Sequence, residues 1–477
     1  MDQVGGGGIV STFLSQVVSG LVWGKSLPIF RPDPAELANP HPSESPPYMS
    51  QATEAPARSW SIDWTNTLFL GGYHLLLFIL LPIYIARYDA SVDLILGTAG
   101  LWTLCLLAIT MGYHRLYAHK TYRTHPAIEA FLTFFGTLST QGSIFSWSHD
   151  HRIHHRHVDT DLDPYSAPKG FWHSHMLWML KKRPDINPRV IHDLWERPSL
   201  QFQHRHFGSL MLATNVIAWA ALWAITGDPV GSFVIGTLLR MFLVHHCTWF
   251  INSLAHMWGS QPFSTEHTAV NNLILSVLTF GEGYHNYHHT FAGDYRNGIR
   301  WWQFDPAKVV IWTLSKIGLA HDLKRVNHLT IKRRLVAADR HLMMERIEAL
   351  RHRIDVEAWK KQVEDASASL TENLNGLKTA TDRFQRLKDE KLKEMREARD
   401  EKLAEMRSLK EKKVQEMREA RDGTIRHMRE VRDEEIEALN VRIEELKKAV
   451  ADEMAAWKSM VHLVLESPES RLSVGPA

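Results

Sequence analysis

Four apolar runs organise the first two-thirds of the chain. Leu68 to Ala86, Leu94 to Tyr113 and Leu210 to Thr226 carry no formal charge, and Val230 to Ile251 contains only Arg240. Each approaches the ~20 apolar residues that a bilayer core requires. The first pair is joined by Arg87 to Asp93 and the second by Gly227-Asp228-Pro229. Links this short predict two tight helical hairpins whose turns lie on one side of a membrane. The N-terminus, the segment 114–208 and everything after 252 then lie on the other side. From about Leu335 to Trp457 the apolar runs give way to charged helix formers. Leu392, Leu403, Val414, Ile425 and Ile436 recur every eleven residues, and so do Met395, Met406, Met417, Met428 and Leu439. Eleven residues over three turns is about 3.67 per turn, a nearly straight stripe along a rod. After Ile436 the spacing shifts towards seven, through Ile443 and Val450 with Leu439 and Leu446, as in a left-handed coiled coil.

This pattern predicts an all-α protein: a four-transmembrane-helix bundle followed by a long, charged, coiled-coil-like helix. The expected divisions are a disordered or membrane-surface N-terminus over 1–60, a membrane-embedded domain over 61–334, a charged helical region over 335–460 and a disordered tail over 461–477. Residues Ile9 to Trp23 are apolar but lack the basic flank of a secretory signal. The helix from about Phe384 to Ala451 is expected to associate with a copy of itself.

Charge then orients the bundle. The segment 114–208 holds twelve Lys and Arg, whereas the two short turns hold only Arg87. By the positive-inside rule that segment is cytosolic. The net charge of +2 averages an apolar half against a charged one and excludes little. Two cysteines, Cys105 and Cys247, sit in apolar runs and rule out a disulfide framework. No nucleic-acid partner is expected.

The 28 histidines are the unusual entry in the composition. Three clusters fall on the cytosolic side: His114 with His119, His151 with His154 and His155, and His285 with His288 and His289. In the last two, spacing i, i+3, i+4 puts three imidazoles on one helix face. The i, i+5 pair does not share a face of a continuous α-helix, so His114 is expected to end the second span and His119 to follow a break. Eight clustered imidazoles exceed one tetrahedral site and favour a pair of metals. A two-metal site at the mouth of a membrane bundle suits oxygen chemistry on a lipid-like substrate, either desaturation or hydroxylation.

Four stretches carry a resemblance: Gly112-Tyr-His-Arg-Leu-Tyr-Ala-His119, Asp150-His-Arg-Ile-His-His155, Asn252-Ser-Leu-Ala-His256 and Gly281-Glu-Gly-Tyr-His-Asn-Tyr-His-His-Thr-Phe291. In this order the chain resembles the acyl-CoA Δ9 desaturases (stearoyl-CoA desaturase family), fungal members especially, from roughly Trp64 to Val326. The resemblance implies a cytosolic di-iron centre held by His114, His119, His151, His154, His155, His256, His285, His288 and His289, with Asn252 reaching one iron through water. It implies contacts to coenzyme A from Asn66, Asp150, Lys182, Arg183 and Trp249, with Trp147 beside the bend of an acyl tunnel. Trp102 and Leu106 are expected to close that tunnel and to favour palmitoyl over stearoyl chains. Where family members often carry arginine two residues before the second box, this chain has His149.

The implied activity is insertion of a cis double bond, Δ9 by resemblance, into saturated fatty acyl-CoA with O₂. A membrane di-iron hydroxylase and an acyl-lipid desaturase are the alternatives. Many fungal relatives carry a cytochrome b5 domain marked by His-Pro-Gly-Gly; that motif does not occur here, so electrons are expected from a separate cytochrome b5 and its NADH-cytochrome b5 reductase. The expected location is the endoplasmic reticulum membrane, with both termini cytosolic. His157, His173, His175, His245, His246 and His267 lie outside the boxes and are expected to be structural. Arg240 needs a partner inside the membrane, and the sequence names none.

Overall fold

The structure, a computed structural model, describes residues 61–352, 354–408 and 416–466. The expectation for 1–60 lies outside them. Among the described residues, four helices are long and apolar enough to cross a bilayer: Trp64–Arg87, Val92–Ala118, Phe207–Thr226 and Pro229–His256. We label the first span α1 (Trp64–Arg87). The second is α2 (Val92–Leu107), continued by a π-helical segment Ala108–Ala118. The helices α3 (Pro126–Leu138) and α4 (Ile144–His157) follow, and α5 (Phe207–Thr226) is the third span. The fourth begins with Pro229–Phe233, passes through a π segment Val234–Leu239, and ends in α6 (Arg240–Asn252).

Local chemistry explains the two tight turns. Gly227 ends α5 with a φ of 71°, the left-handed value glycine adopts without strain. Asp228 then caps the fourth span, accepting from Gly231 N–H at 2.7 Å and from the Tyr84 hydroxyl at 2.6 Å. At the other hairpin Ser91 caps α2 through Leu94 N–H. Gly97 and Gly236 both face the Leu222 side chain, so an added methyl at either would strike it. Small residues thereby let spans two, three and four approach closely.

The segment between spans two and three is not confined to one side of the bundle. Its apolar helix α3 packs along the π segment, and its end reaches the level of Cys105, whose carbonyl accepts from the Ser139 hydroxyl at 3.4 Å. Arg240 finds its partners here: it donates to Asn215 Oδ1 at 2.5 Å, to the Leu138 carbonyl at 3.2 Å and to its own Gly236 carbonyl at 3.0 Å. With the Cys105 sulfur at 3.4 Å these make four acceptors, none of them a carboxylate. The guanidinium caps the C-terminal end of α3, where helix carbonyls lack intrahelical donors.

The charged region carries the long helix that its sequence predicts, with a shorter helix before it and a second long one after it. It contains α9 (His328–Ala349), α10 (Val356–Ser408) and α11 (Glu416–Val461), after α7 (His285–Thr290) and α8 (Pro306–Lys316) of the preceding domain. The arms α10 and α11 run antiparallel, tied by Arg383–Glu435, Lys391–Asp433 and Glu394–Arg432 ion pairs. Their core joins Met343 and Ile347 of α9 to Trp359, Leu370 and Leu374 of α10 and to Ile443, Val450 and Trp457 of α11. Helix extends past 460, and Val464 is buried in the same core, so the expected tail does not begin at 461. The first helix α9 also crosses the expected 334/335 boundary: Arg334 donates to the Phe263 carbonyl and the Ser264 hydroxyl and pairs with Glu266.

Candidate metal centre

The π segment brings the first histidine pair together. Its i→i+5 bonding is visible in His119 N–H donating to the His114 carbonyl at 3.0 Å, and this wider winding places residues five apart on one face. The two rings lie 4.8 Å apart. The helix therefore does not break after His114, contrary to the α-helical expectation. On α4, His151, His154 and His155 share a face, and α7 presents His285, His288 and His289 likewise. His256 closes a short 3₁₀ turn directly after α6.

These nine imidazoles form two groups: His114, His119, His151, His155 and His288, then His154, His256, His285 and His289. Within each, one nitrogen per residue lies within 4.8 Å of all the others. Neighbouring Nε2 atoms are closer still: 2.9 Å for His114–His288, 2.8 Å for His119–His151, 2.9 Å for His288–His155, 3.1 Å for His256–His285 and 3.2 Å for His154–His289. A metal with bonds near 2.1 Å places trans ligands about 4.2 Å apart, so these nitrogens suit the coordination shell of an ion. Burial, then repulsion from neighbouring imidazoles, holds His119, His151, His155, His285, His288 and His289 well below the ordinary histidine range. They are neutral, with lone pairs free to ligate.

Partners on the far side of the rings fix which nitrogen points inward. His154 Nδ1 meets both oxygens of Asp163 at 2.9 Å, and His151 Nδ1 meets the Tyr165 hydroxyl at 3.2 Å. His256 Nδ1 meets Thr268 Oγ1 at 2.8 Å, and that hydroxyl donates to Asp159 at 2.6 Å. Glu282 lies 3.0 Å from His114 Nδ1 and also receives Arg115, Thr110 and Asn297. Burial opposes its ionisation, but His114 and Arg115 outweigh that and hold its carboxyl at about 2. Arg115 is buried too and pairs with both oxygens of Asp305. Sequence reasoning missed Asp163, Tyr165, Thr268 and Glu282. The one available signal was a carboxylate at the head of the third box.

A cavity of about 350 Å³ opens against the metal groups. Its wall includes His114, His151, His285 and Asn252, together with Asn66, Trp147, Asp150, Arg183 and Trp249. Trp147 stacks on His151 with ring centroids 4.8 Å apart. At the mouth Arg183 donates to Asp150 at 2.6 Å, while His149 Nδ1 sits 3.0 Å from the other Asp150 oxygen. Asn66 is already engaged with Asp63 and the Met179 carbonyl. Lys182 lines an adjoining polar cavity of about 510 Å³ that shares Asp150 and Arg183 with the first. Trp102 and Leu106 do not line these cavities. Trp102 packs edge-on to Phe280, and Leu106 is buried with Leu138 and Val244.

Comparison with known proteins agrees with this geometry. The fatty acid desaturase family model matches residues 94–322. The chain is 45% identical over 233 residues to acyl-CoA desaturase 1 of Saccharomyces cerevisiae, covering 48% of this chain and 46% of the yeast protein. It is 37% identical over 269 residues to the sn-1 stearoyl-lipid 9-desaturase of Anabaena variabilis, covering 55% of this chain and 94% of that one. Against the stearoyl-CoA desaturase of Capra hircus the identity is 32%, over 58% of this chain and 78% of the goat protein. The match spans about half the length of the two yeast relatives. Nine inward-facing histidines in four segments, all within or beside the matched region, and near-complete coverage of a bacterial desaturase place this chain in the fatty acid desaturase family.

Proposed function

We propose that the chain is a multi-pass, O₂-dependent fatty acyl-CoA desaturase that inserts a cis double bond at Δ9, with two iron ions as its cofactor. The observation that carries this reading is the pair of converging imidazole groups, five and four, at the wall of an apolar cavity within a membrane bundle. Bound iron supplies oxygen activation strong enough for an unactivated C–H bond. The protein's own part is positioning. Coenzyme A phosphates meet Lys182 and Arg183 at the mouth, where cations give charge-assisted bonds; Asp150 holds Arg183 there. Asn66 and Trp249 flank the entering thioester, and Trp147 fixes the acyl chain beside His151. Gln141 donates to Thr248 at 2.8 Å across the cavity wall, bracing the path beyond. Asn252, on the wall of the same cavity, would hold one of the irons through a water.

The polar mouth favours acyl-CoA over lipid-linked acyl groups, although relatives named for stearoyl-lipid and palmitoyl-lipid substrates share the fold region. The mouth faces the cytosol and the membrane is the endoplasmic reticulum, with electrons arriving from separate cytochrome b5 and its reductase. Fatty-acid profiling of a desaturase-deficient host expressing this chain tests the reading. New Δ9-monounsaturated acids are expected; hydroxylated acids alone would replace it with a hydroxylase.

A further inference from the structure

A second cavity adjoins the first, deeper in the bundle, with a volume of about 440 Å³. It lies between α1, α5 and the fourth span, and it shares Phe69, Thr140 and Met211 with the first cavity. The surface it presents is apolar, because the polar side chains on its wall are turned to partners elsewhere: Asn215 to Arg240, and Thr140 and Tyr73 to His245. On its rim Leu212 and Val216 are 65% and 47% exposed on the outer face of α5, at the depth of the apolar spans. The opening therefore faces lipid tails and not water.

The junction of the two cavities is unusual. Thr140 has a φ of 58°, a left-handed value that a β-branched residue holds only when its surroundings enforce it. Its hydroxyl meets His245 Nε2 at 2.8 Å, and His245 Nδ1 meets the Tyr73 hydroxyl at 2.8 Å. Polar groups from α6 and α1 thus clamp a strained turn where the cavities meet. The other two shared residues are a phenylalanine and a methionine; the methionine side chain is unbranched and adapts its shape readily.

Resting on the reading of the first cavity as an acyl site, we propose that the seam between α1 and α5 is a side portal through which a long acyl chain passes between the bilayer and the metal centre. A chain withdrawn through the polar mouth would expose each methylene to water in turn. One moving sideways stays in apolar surroundings throughout. The coenzyme A group remains at the mouth while the tail swings through the seam past Phe69 and Met211.

The test uses the full chain in phosphatidylcholine vesicles and a palmitoyl-CoA carrying a diazirine near the middle of its chain. Irradiation is expected to label the peptides holding Phe69–Tyr73 and Met211–Trp219, and unlabelled palmitoyl-CoA should suppress that label. Val216→Trp fills the rim and should slow labelling of the Trp147 peptide about tenfold, the factor that accompanies about 1.36 kcal/mol of barrier, with bound iron unchanged. Leu212→Trp, further out, repeats the test should the first variant not accumulate. Label confined to Trp147 and its neighbours, with both variants loading at the parental rate, overturns the portal and leaves the desaturase reading standing. No suppressible label anywhere overturns both.

Discussion

Each metal group depends on single residues of two kinds, those facing inward and those holding them. His154→Ala or His288→Ala should abolish product while leaving the protein in the membrane, since either removes an inward nitrogen shared closely with its neighbours; retained activity in both would sink the di-iron assignment. Asp163→Asn should be milder. It keeps one oxygen for His154 Nδ1 but loses the charge, and outer partners of this kind are worth about 10–100-fold in metal affinity; metal analysis of purified protein reads the loss. His175 makes a separate prediction. Burial pushes its imidazole down to about 4, against a smaller upward pull from the Trp249 backbone, and its nitrogens meet Ser253 and His246 at 3.0 Å. The unfolded chain takes up a proton near pH 6.5 that the folded one refuses, so this contact stabilises fully above that pH and less as pH falls towards 4. Melting temperatures between pH 7 and 4 should decline less steeply in His175→Asn. The inward-facing histidines were legible because groups that converge from one helix must recur at helical spacing. Their carboxylate partners were not: Glu282 heads the third box but serves His114 of the first, and Asp163 reaches His154 through the irregular turn after α4, at no helical spacing.

At the scale of elements, apolar length alone located the four spans, yet it missed both π segments and the inward course of α3. Hydropathy counts residues and is blind to winding, so His114 and His119 read as belonging to two pieces. In the charged region the pattern located the helices and a buried seam, and left the neighbour across that seam open. Its heptad-spaced residues Ile443, Leu446 and Val450 are buried, as a coiled-coil seam should be, but the partner is α10 of the same chain. Residues of the eleven-residue stripe are different: Leu392 and Met395 remain 42% and 55% exposed, because the two arms meet there through ion pairs. Periodicity reports that a helix has a seam and is silent on which helix fills it. Replacing Arg383 and Glu435 with cysteine and adding a short bismaleimide should therefore give a cross-link within one chain, unchanged in mass on a denaturing gel. A doubled mass would restore association between copies. Trp457→Ala, which removes a buried indole bonded to Asp339 at 3.1 Å, should cost the bundle about 3–5 kcal/mol, read as earlier melting of the helical signal in the isolated domain's parent chain.

The two histidine groups draw on distant parts of the chain: the second span, α4, the end of the fourth span and α7. A group that binds all four holds the folded state and gains nothing from the unfolded one, so at 100-fold excess over its dissociation constant it adds about 2.7 kcal/mol. Loading with iron should accordingly protect the stretch 159–206 from limited proteolysis, and a chelator should reverse that; equal cleavage in both states would argue against the assembled centre. Purified protein given O₂, palmitoyl-CoA and NADH should remain silent until cytochrome b5 and its reductase are added, and turnover without them would reveal an internal carrier. The π segment carries one more consequence, concerning which length changes this molecule can inherit. Remove a single residue between His114 and His119 and the segment can relax to α-helical pitch: the two histidines then stand four apart, about 40° round the helix, and still share a face. Keep every residue but wind the segment as an α-helix, and they stand about 140° apart, with one of them turned out of its group. A topology search would register no difference between these two chains, yet only the second would have lost an inward imidazole. The extra residue in that turn is compatible with the site only while the winding stays wide.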